Sequence, residues 1–180
     1  MAKSLIVYFT QGGTTAQVAE AIAFGLRSKE HQVDLHNMNE GQPPGLEGYG
    51  LLGIGLPVYI YRPPFKVMEY IHDLPELKGL PVFVFLLYGT FPGDAGNIAR
   101  RALTRKGGHE VGYFKAMGAD YYLGYLKRGY LFSPDNPTAL ELDAAQTFGR
   151  SIANRITGGG YIRQENDSQP SIVYRLERFL

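Results

Sequence analysis

A doubly wound α/β sheet of five parallel strands, with helices on both faces, is what this 180-residue sequence predicts. Three observations carry that reading. Short apolar runs alternate with stretches of helical period, as in sheets buried on both sides. The runs are β-branched or aromatic and too short for helices. The first of them ends at a glycine pair, where a strand gives way to a loop.

Residues 5–9 (LIVYF) form the first such strand. Over residues 14–29 the period changes. Val18, Ile22 and Leu26 fall at i, i+4 and i+8 beside Ala19 and Ala23, while Gln17, Glu20 and Arg27 lie off that stripe. Residues 32–36 alternate weakly, as an outer strand does. Residues 51–56 (LLGIGL) give the next buried strand, its glycines implying close approach of a helix or ligand. Pro63 and Pro64 open a helix carrying Phe65, Met68 and Ile71. Pro81 precedes VFVFLLY, the clearest strand in the chain. Residues 95–105 form a helix with Ile98 and Ala102 inward, stopped by Lys106-Gly107-Gly108. Residues 111–117 supply the fifth strand, and residues 138–156 the closing helix with Phe148, Ile152 and Ile156 on one stripe.

The order is β-α-β-β-α-β-α-β-α, with residues 41–49 as loop in the strand–strand step. Residues 1–157 are one domain, and 158–180 a C-terminal tail, an amphipathic helix or a linker. The tail ends with Ile172, Leu176, Phe179 and Leu180 among Arg175 and Arg178.

Composition narrows the function. Hydrophobic residues at 44% and charged residues at 19% exclude a disordered chain or a coiled coil. Zero Cys excludes a cysteine nucleophile, a disulfide scaffold and a thiolate-held cluster. A net charge of +1 argues against nucleic-acid binding. The apolar run near the start is too brief for a signal peptide or a membrane span, so a cytoplasmic protein is expected. His31, His36, His72 and His109 are scattered without metal-ligand spacing and read as surface or strand-edge residues. Arg100, Arg101, Arg105 and Lys106 read as a solvated face, or else as a docking patch for an acidic partner.

In an open parallel sheet, ligands bind beyond the carboxyl ends of the strands. Residues 10–15 (TQGGTT) combine glycines, three hydroxyls and a helix N-terminus, without Lys or Arg. That suits a phosphate held by neutral donors, or a simple turn with Thr as helix cap. It is neither a Walker loop nor a GxGxxG fingerprint. Residues 57–64 (PVYIYRPP) form an aromatic loop stiffened by prolines, able to hold a flat ring or to cover the core edge. Residues 88–94 (YGTFPGD) repeat that character, with Asp94 as acceptor or N-cap. The aromatic stretch 121–132 can pack on the sheet, lid a ligand or face a partner. No Gly-x-Ser-x-Gly elbow occurs, and the carboxylates of a receiver domain are missing, with Thr10 and Pro57 in their places.

These residues carry a resemblance. LIVYFTQGGTTAQVAEAIAFGL resembles the opening of the flavodoxin family, whose T/S-x-T-G-x-T loop binds the phosphate of FMN. GLPVYIYRPPFKVMEYI is similar to the flavodoxin domains of bacterial ferredoxin–flavodoxin fusion proteins, and element order corresponds over roughly residues 4–157. The resemblance implies a flavodoxin-like fold and FMN. It implies that Thr10, Gln11, Gly12, Gly13, Thr14 and Thr15 hold the phosphate, with Gly12 where the family has a Thr. Pro57, Val58, Tyr59, Ile60 and Tyr61 would hold one side of the isoalloxazine. Tyr88, Gly89, Thr90, Phe91 and Asp94 would take its other edge and the ribityl chain. The function implied is electron transfer with redox partner proteins, such as a ferredoxin or ferredoxin domain. An FMN-dependent quinone or NAD(P)H oxidoreductase is the alternative, and a flavin-free interaction module a third. The chain is less acidic than flavodoxins commonly are, and the ferredoxin half of the fusion proteins is absent from it.

Overall fold

The computed structural model describes residues 3–119, 126–158 and residue 167. Five strands form one parallel sheet: β1 (Lys3–Tyr8), β2 (Gln32–Asn37), β3 (Leu51–Pro57), β4 (Pro81–Tyr88) and β5 (His109–Met117). Their spatial order is β2-β1-β3-β4-β5. The chain leaves β1 toward one edge and returns to build toward the other. That reversal opens a crevice between the carboxyl ends of β1 and β3.

Helices α1 (Thr14–Arg27) and α4 (Ala139–Gly158) cover one face, and α2 (Phe65–Asp73) and α3 (Ala95–Arg105) the other. Strand residues alternate between two cores. Leu5, Val7, Leu52, Ile54 and Leu56 face α2 and α3, whereas Ile6, Leu51, Phe83 and Phe85 face α1 and α4. The glycines of β3 leave room for neither helix nor ligand. A Cβ at Gly53 or Gly55 would strike the ring of Phe83 or Phe85 on the adjacent strand. Helices α1 and α4 cross backbone to backbone at Gly25 and Gly149, where any Cβ would meet the opposite main chain. A capping box starts α4: the Thr138 hydroxyl accepts from Glu141 N–H at 3.3 Å, and the Glu141 carboxylate accepts from Thr138 N–H at 2.8 Å. Glu141 also accepts from Met117 N–H at 2.8 Å, tying the helix start to the end of β5.

The predicted stripe of α1 is buried as expected, through Val18, Ile22 and Leu26. Two other helices turn their expected faces inward only in part. In α2, Val67 and Ile71 are buried while Phe65 is 81% exposed. In α3 the fully buried apolar residues are Ala95, Ala99 and Leu103; Ala102 packs partly buried on the same core, and Ile98 turns to the groove. The larger apolar side chains, Phe65 and Ile98, are left on a groove between the helices. Arg100 is not part of a solvated face. It is buried and donates from Nε to Glu110 at 2.6 Å, whereas Arg101 and Arg105 are exposed. His31 is likewise buried, its Nδ1 at 3.2 Å from the Ser4 hydroxyl, rather than on the surface.

No helix among the described residues is long and apolar enough to cross a membrane. The tail residues Ile172, Leu176, Phe179 and Leu180 lie outside the described residues, as do residues 121–125 of the aromatic stretch. Tyr130 and Phe132, from the rest of that stretch, are exposed.

Candidate functional site

The loops after β1, β3 and β4 meet at the carboxyl end of the sheet, each held by a hydrogen bond that extends the ladder. Phe9 N–H donates to Gly55 C=O at 3.0 Å, and Val58 N–H to Leu87 C=O at 2.8 Å. Beyond β5, Gly118 N–H donates to Tyr88 C=O at 3.0 Å. All three predicted loops are therefore brought to one crevice.

The first loop turns through Gly13, whose φ of +84° suits a residue without Cβ. Gly13, not a threonine, occupies the N-cap of α1, and no side chain caps that end. Thr10 closes the turn instead, its buried hydroxyl accepting from Gly13 N–H at 3.0 Å. Outside the loop, Asn39 donates from its amide to Thr10 C=O at 2.6 Å, fixing where the turn lies. Gln11 and Gly12 are exposed at the rim. The first turn of α1 leaves backbone N–H groups without intrahelical acceptors. Behind them Thr15, 1% exposed, holds a buried hydroxyl with no hydrogen-bond partner. Thr14 sits one residue earlier, and a Cβ at Gly118 would lie 3.3 Å from its hydroxyl.

The second loop folds into a tight hairpin. Tyr59 and Arg62 exchange both backbone hydrogen bonds, at 2.9 and 3.0 Å. The two central residues, Ile60 and Tyr61, have φ of +47° and +63°. A pair of positive φ values is what a type I′ turn requires, yet glycine and asparagine usually supply it. A β-branched residue there is strained, and such strain gathers at functional sites. The turn lifts Ile60 into solvent at 64% exposure.

Aromatic side chains join the loops into a wall. Phe9 and Tyr59 meet edge to face with centroids 6.2 Å apart, and Tyr61 and Phe91 do so at 6.1 Å. Lys66 Nζ stands 5.9 Å above the Phe9 ring, which brings a positive charge beside the phosphate-type loop. Burial pushes the Tyr59 phenol up to about 12, so it remains a proton donor. In the third loop, Gly93 is pressed against Tyr61. Tyr88, Gly89 and Phe91 are half-buried, and Thr90 is exposed. Asp94 stands at the N-cap position of α3 without a side-chain cap bond, its carbonyl accepting from Ile98 N–H at 2.9 Å. Pro57 and Val58 are half-buried at the crevice mouth. Arg62, Pro63, Phe65, Met68 and Ile98 line a groove of about 460 Å³ beside the hairpin.

A switch-point crevice with one neutral glycine loop and two aromatic loops matches a known domain. A family model described as "Flavodoxin domain" matches residues 5–125. This chain belongs to the flavodoxin domain family. No curated protein matches the sequence. Solved structures agree on the fold. A flavodoxin from the domain Archaea superposes with TM-score 0.62 at 18% identity, over 86% of this chain and 99% of that one. Flavodoxin 1 from Bacillus cereus gives TM-score 0.67 at 17% identity, over 85% and 98%. The rubredoxin:oxygen oxidoreductase of Desulfovibrio gigas gives 0.66 at 16% identity, over 86% of this chain but only 36% of that larger protein. Identities this low establish a shared fold.

Reading the sequence missed one residue that shapes the crevice, Asn39. The Asn-Met-Asn string at 37–39 was the available signal. Asn37 makes the local turn, its side-chain Oδ1 accepting from Asn39 N–H at 3.1 Å, and so aims Asn39 at the loop.

Proposed function

We propose that this domain binds FMN and exchanges electrons with a redox partner protein, a ferredoxin or ferredoxin domain. The observation that carries the reading is Thr15 Oγ1, a buried hydroxyl without a partner behind a neutral glycine loop. An orphan of that kind costs about 1–3 kcal/mol, and a phosphate oxygen would remove the cost. An anion on helix N–H groups also needs no lysine in the loop. Thr10, Gln11, Gly12, Gly13, Thr14 and Thr15 would hold the phosphate. Pro57, Val58, Tyr59, Ile60 and Tyr61 would flank one side of the ring system. Tyr88, Gly89, Thr90, Phe91 and Asp94 would take the other edge and the ribityl chain.

FMN, when bound, supplies the redox chemistry, and the chain binds, shields and tunes it. The aromatic wall excludes water, and Tyr59 keeps its proton to donate. A carrier needs an exposed cofactor edge and a surface for transient docking. Ile60 and Phe65, both exposed beside the hairpin, provide an apolar one. With zero Cys, the chain contributes no cluster ligand through sulfur, so the partner brings its own centre.

Flavin released by heat from the purified protein should be FMN; FAD or no flavin after loading would overturn the reading. Anaerobic mixing of the loaded protein with NADH or NADPH should reduce it sluggishly. Bleaching at tens per second, within the range of enzyme turnover, would establish the oxidoreductase alternative.

A further inference from the structure

Asp167 lies on the opposite face of the sheet from α4, although only eight residues separate it from the end of that helix. Three side chains converge on it through four hydrogen bonds. The side-chain amide of Asn97, itself 1% exposed, donates to Asp167 C=O and accepts from Asp167 N–H, each at 3.2 Å. That paired exchange is how a neighbouring strand reads extended backbone. The carboxylate accepts from the Tyr113 hydroxyl at 2.5 Å and from Lys115 Nζ at 2.6 Å. Only 3% of the Asp167 side chain is exposed. Burial first, and then the bond to Asp167, raises the Tyr113 phenol well above its usual range and keeps it a donor. Gly96 makes the room, because a Cβ there would strike the Tyr113 phenol. Arg100, stacked 4.5 Å over the Tyr113 ring and paired with Glu110, leaves the notch one positive charge in excess when Asp167 is absent.

We propose that Asn97, Tyr113 and Lys115 form a receptor for an aspartate in extended chain, occupied by Asp167 as an intrachain latch. Asn97 recognises main chain, and Tyr113 with Lys115 recognises the carboxylate. The latch pins residue 167 to the α3 face, on side chains of α3 and β5. Losing one hydrogen bond to a buried charge should open the latch about ten- to hundred-fold.

The test uses the full chain without added ligand. Asp167→Ala should speed tryptic cleavage after Arg163 and Arg175 at least tenfold while the rest of the chain stays uncut. Tyr113→Phe and Lys115→Met, which leave the tail untouched, should each speed hydrogen exchange at the Asp167 amide at least tenfold. Asp167→Asn should fall between wild type and Asp167→Ala, since it keeps an acceptor but loses the charge. Cleavage and exchange rates unchanged in these variants would overturn the latch. So would a stable dimer in which the second copy's aspartate fills the notch.

Discussion

Gly93 and Tyr61 are in backbone contact across two loops: a Cβ placed on Gly93 would lie 2.5 Å from the Cβ of Tyr61. The loop after β4 can approach the hairpin after β3 only because residue 93 has no side chain, and its φ of +56° adds a second reason. Gly93→Ala should therefore destabilise the protein by about 1–3 kcal/mol, as overpacking does, and part the two aromatic loops. The thermal midpoint and the FMN affinity should fall together. A wild-type midpoint in that variant would mean that the loops are not locked at this contact.

The hairpin itself stores strain at Ile60. Asparagine tolerates the left-handed region far better than a β-branched residue, and the Ile60 side chain is mostly in solvent. Ile60→Asn should stabilise the protein by about 1 kcal/mol, read as a higher midpoint in urea. If the exposed isoleucine serves docking, electron exchange with the partner should slow in the same variant.

Thr15 separates stability from binding. Thr15→Val keeps the shape and deletes the orphaned hydroxyl, so the ligand-free protein should gain about 1 kcal/mol. FMN affinity should drop roughly ten- to hundred-fold, the worth of one hydrogen bond to a charged group. Calorimetry on both forms checks the pair of outcomes. A loss of apo stability would show the hydroxyl to be satisfied without ligand.

His31 gives the fold a pH dependence of definite sign. Burial lowers its pKa below the ordinary value of 6.5, so the folded state holds fewer protons than the unfolded state in that region. Its contribution is complete above about pH 6.5 and is lost as pH falls through the depressed folded value. Urea midpoints at pH 7.5 and 5.5 should differ by less in His31→Asn than in wild type.

What could be read in the sequence follows from how local each signal is. Parallel strands buried on both faces are apolar runs, and α1 repeats its apolar stripe cleanly, so element order and the crevice loops were legible. The inward faces of α2 and α3 were legible only in part, through Ile71, Met68 and Ala102. Phe65 and Ile98 are large and apolar, and periodicity alone puts such residues inside. Here the sheet-facing positions go to Val67, Ala95 and Ala99, and the large side chains line the groove. Arg100 looked solvated because its partner Glu110 lies on a different element. Asp167 meets partners 52 to 70 residues away in sequence, a separation that no local pattern records. Within the site, the hydroxyls and glycines of the first loop were visible, but the left-handed turn at Ile60 and Tyr61 carries no sequence signature of its own.

The most direct test of the central claim is a paired titration of the ligand-free protein with FMN and with riboflavin, which differ only in the phosphate. Fluorescence quenching reads both affinities under identical conditions. If the loop from Thr10 to Thr15 holds the phosphate through several hydrogen bonds, FMN should bind about a hundred-fold tighter or more. Thr15→Val should narrow that gap by about tenfold or more while leaving riboflavin binding unchanged. Equal affinities for FMN and riboflavin, or binding of neither, would contradict the account.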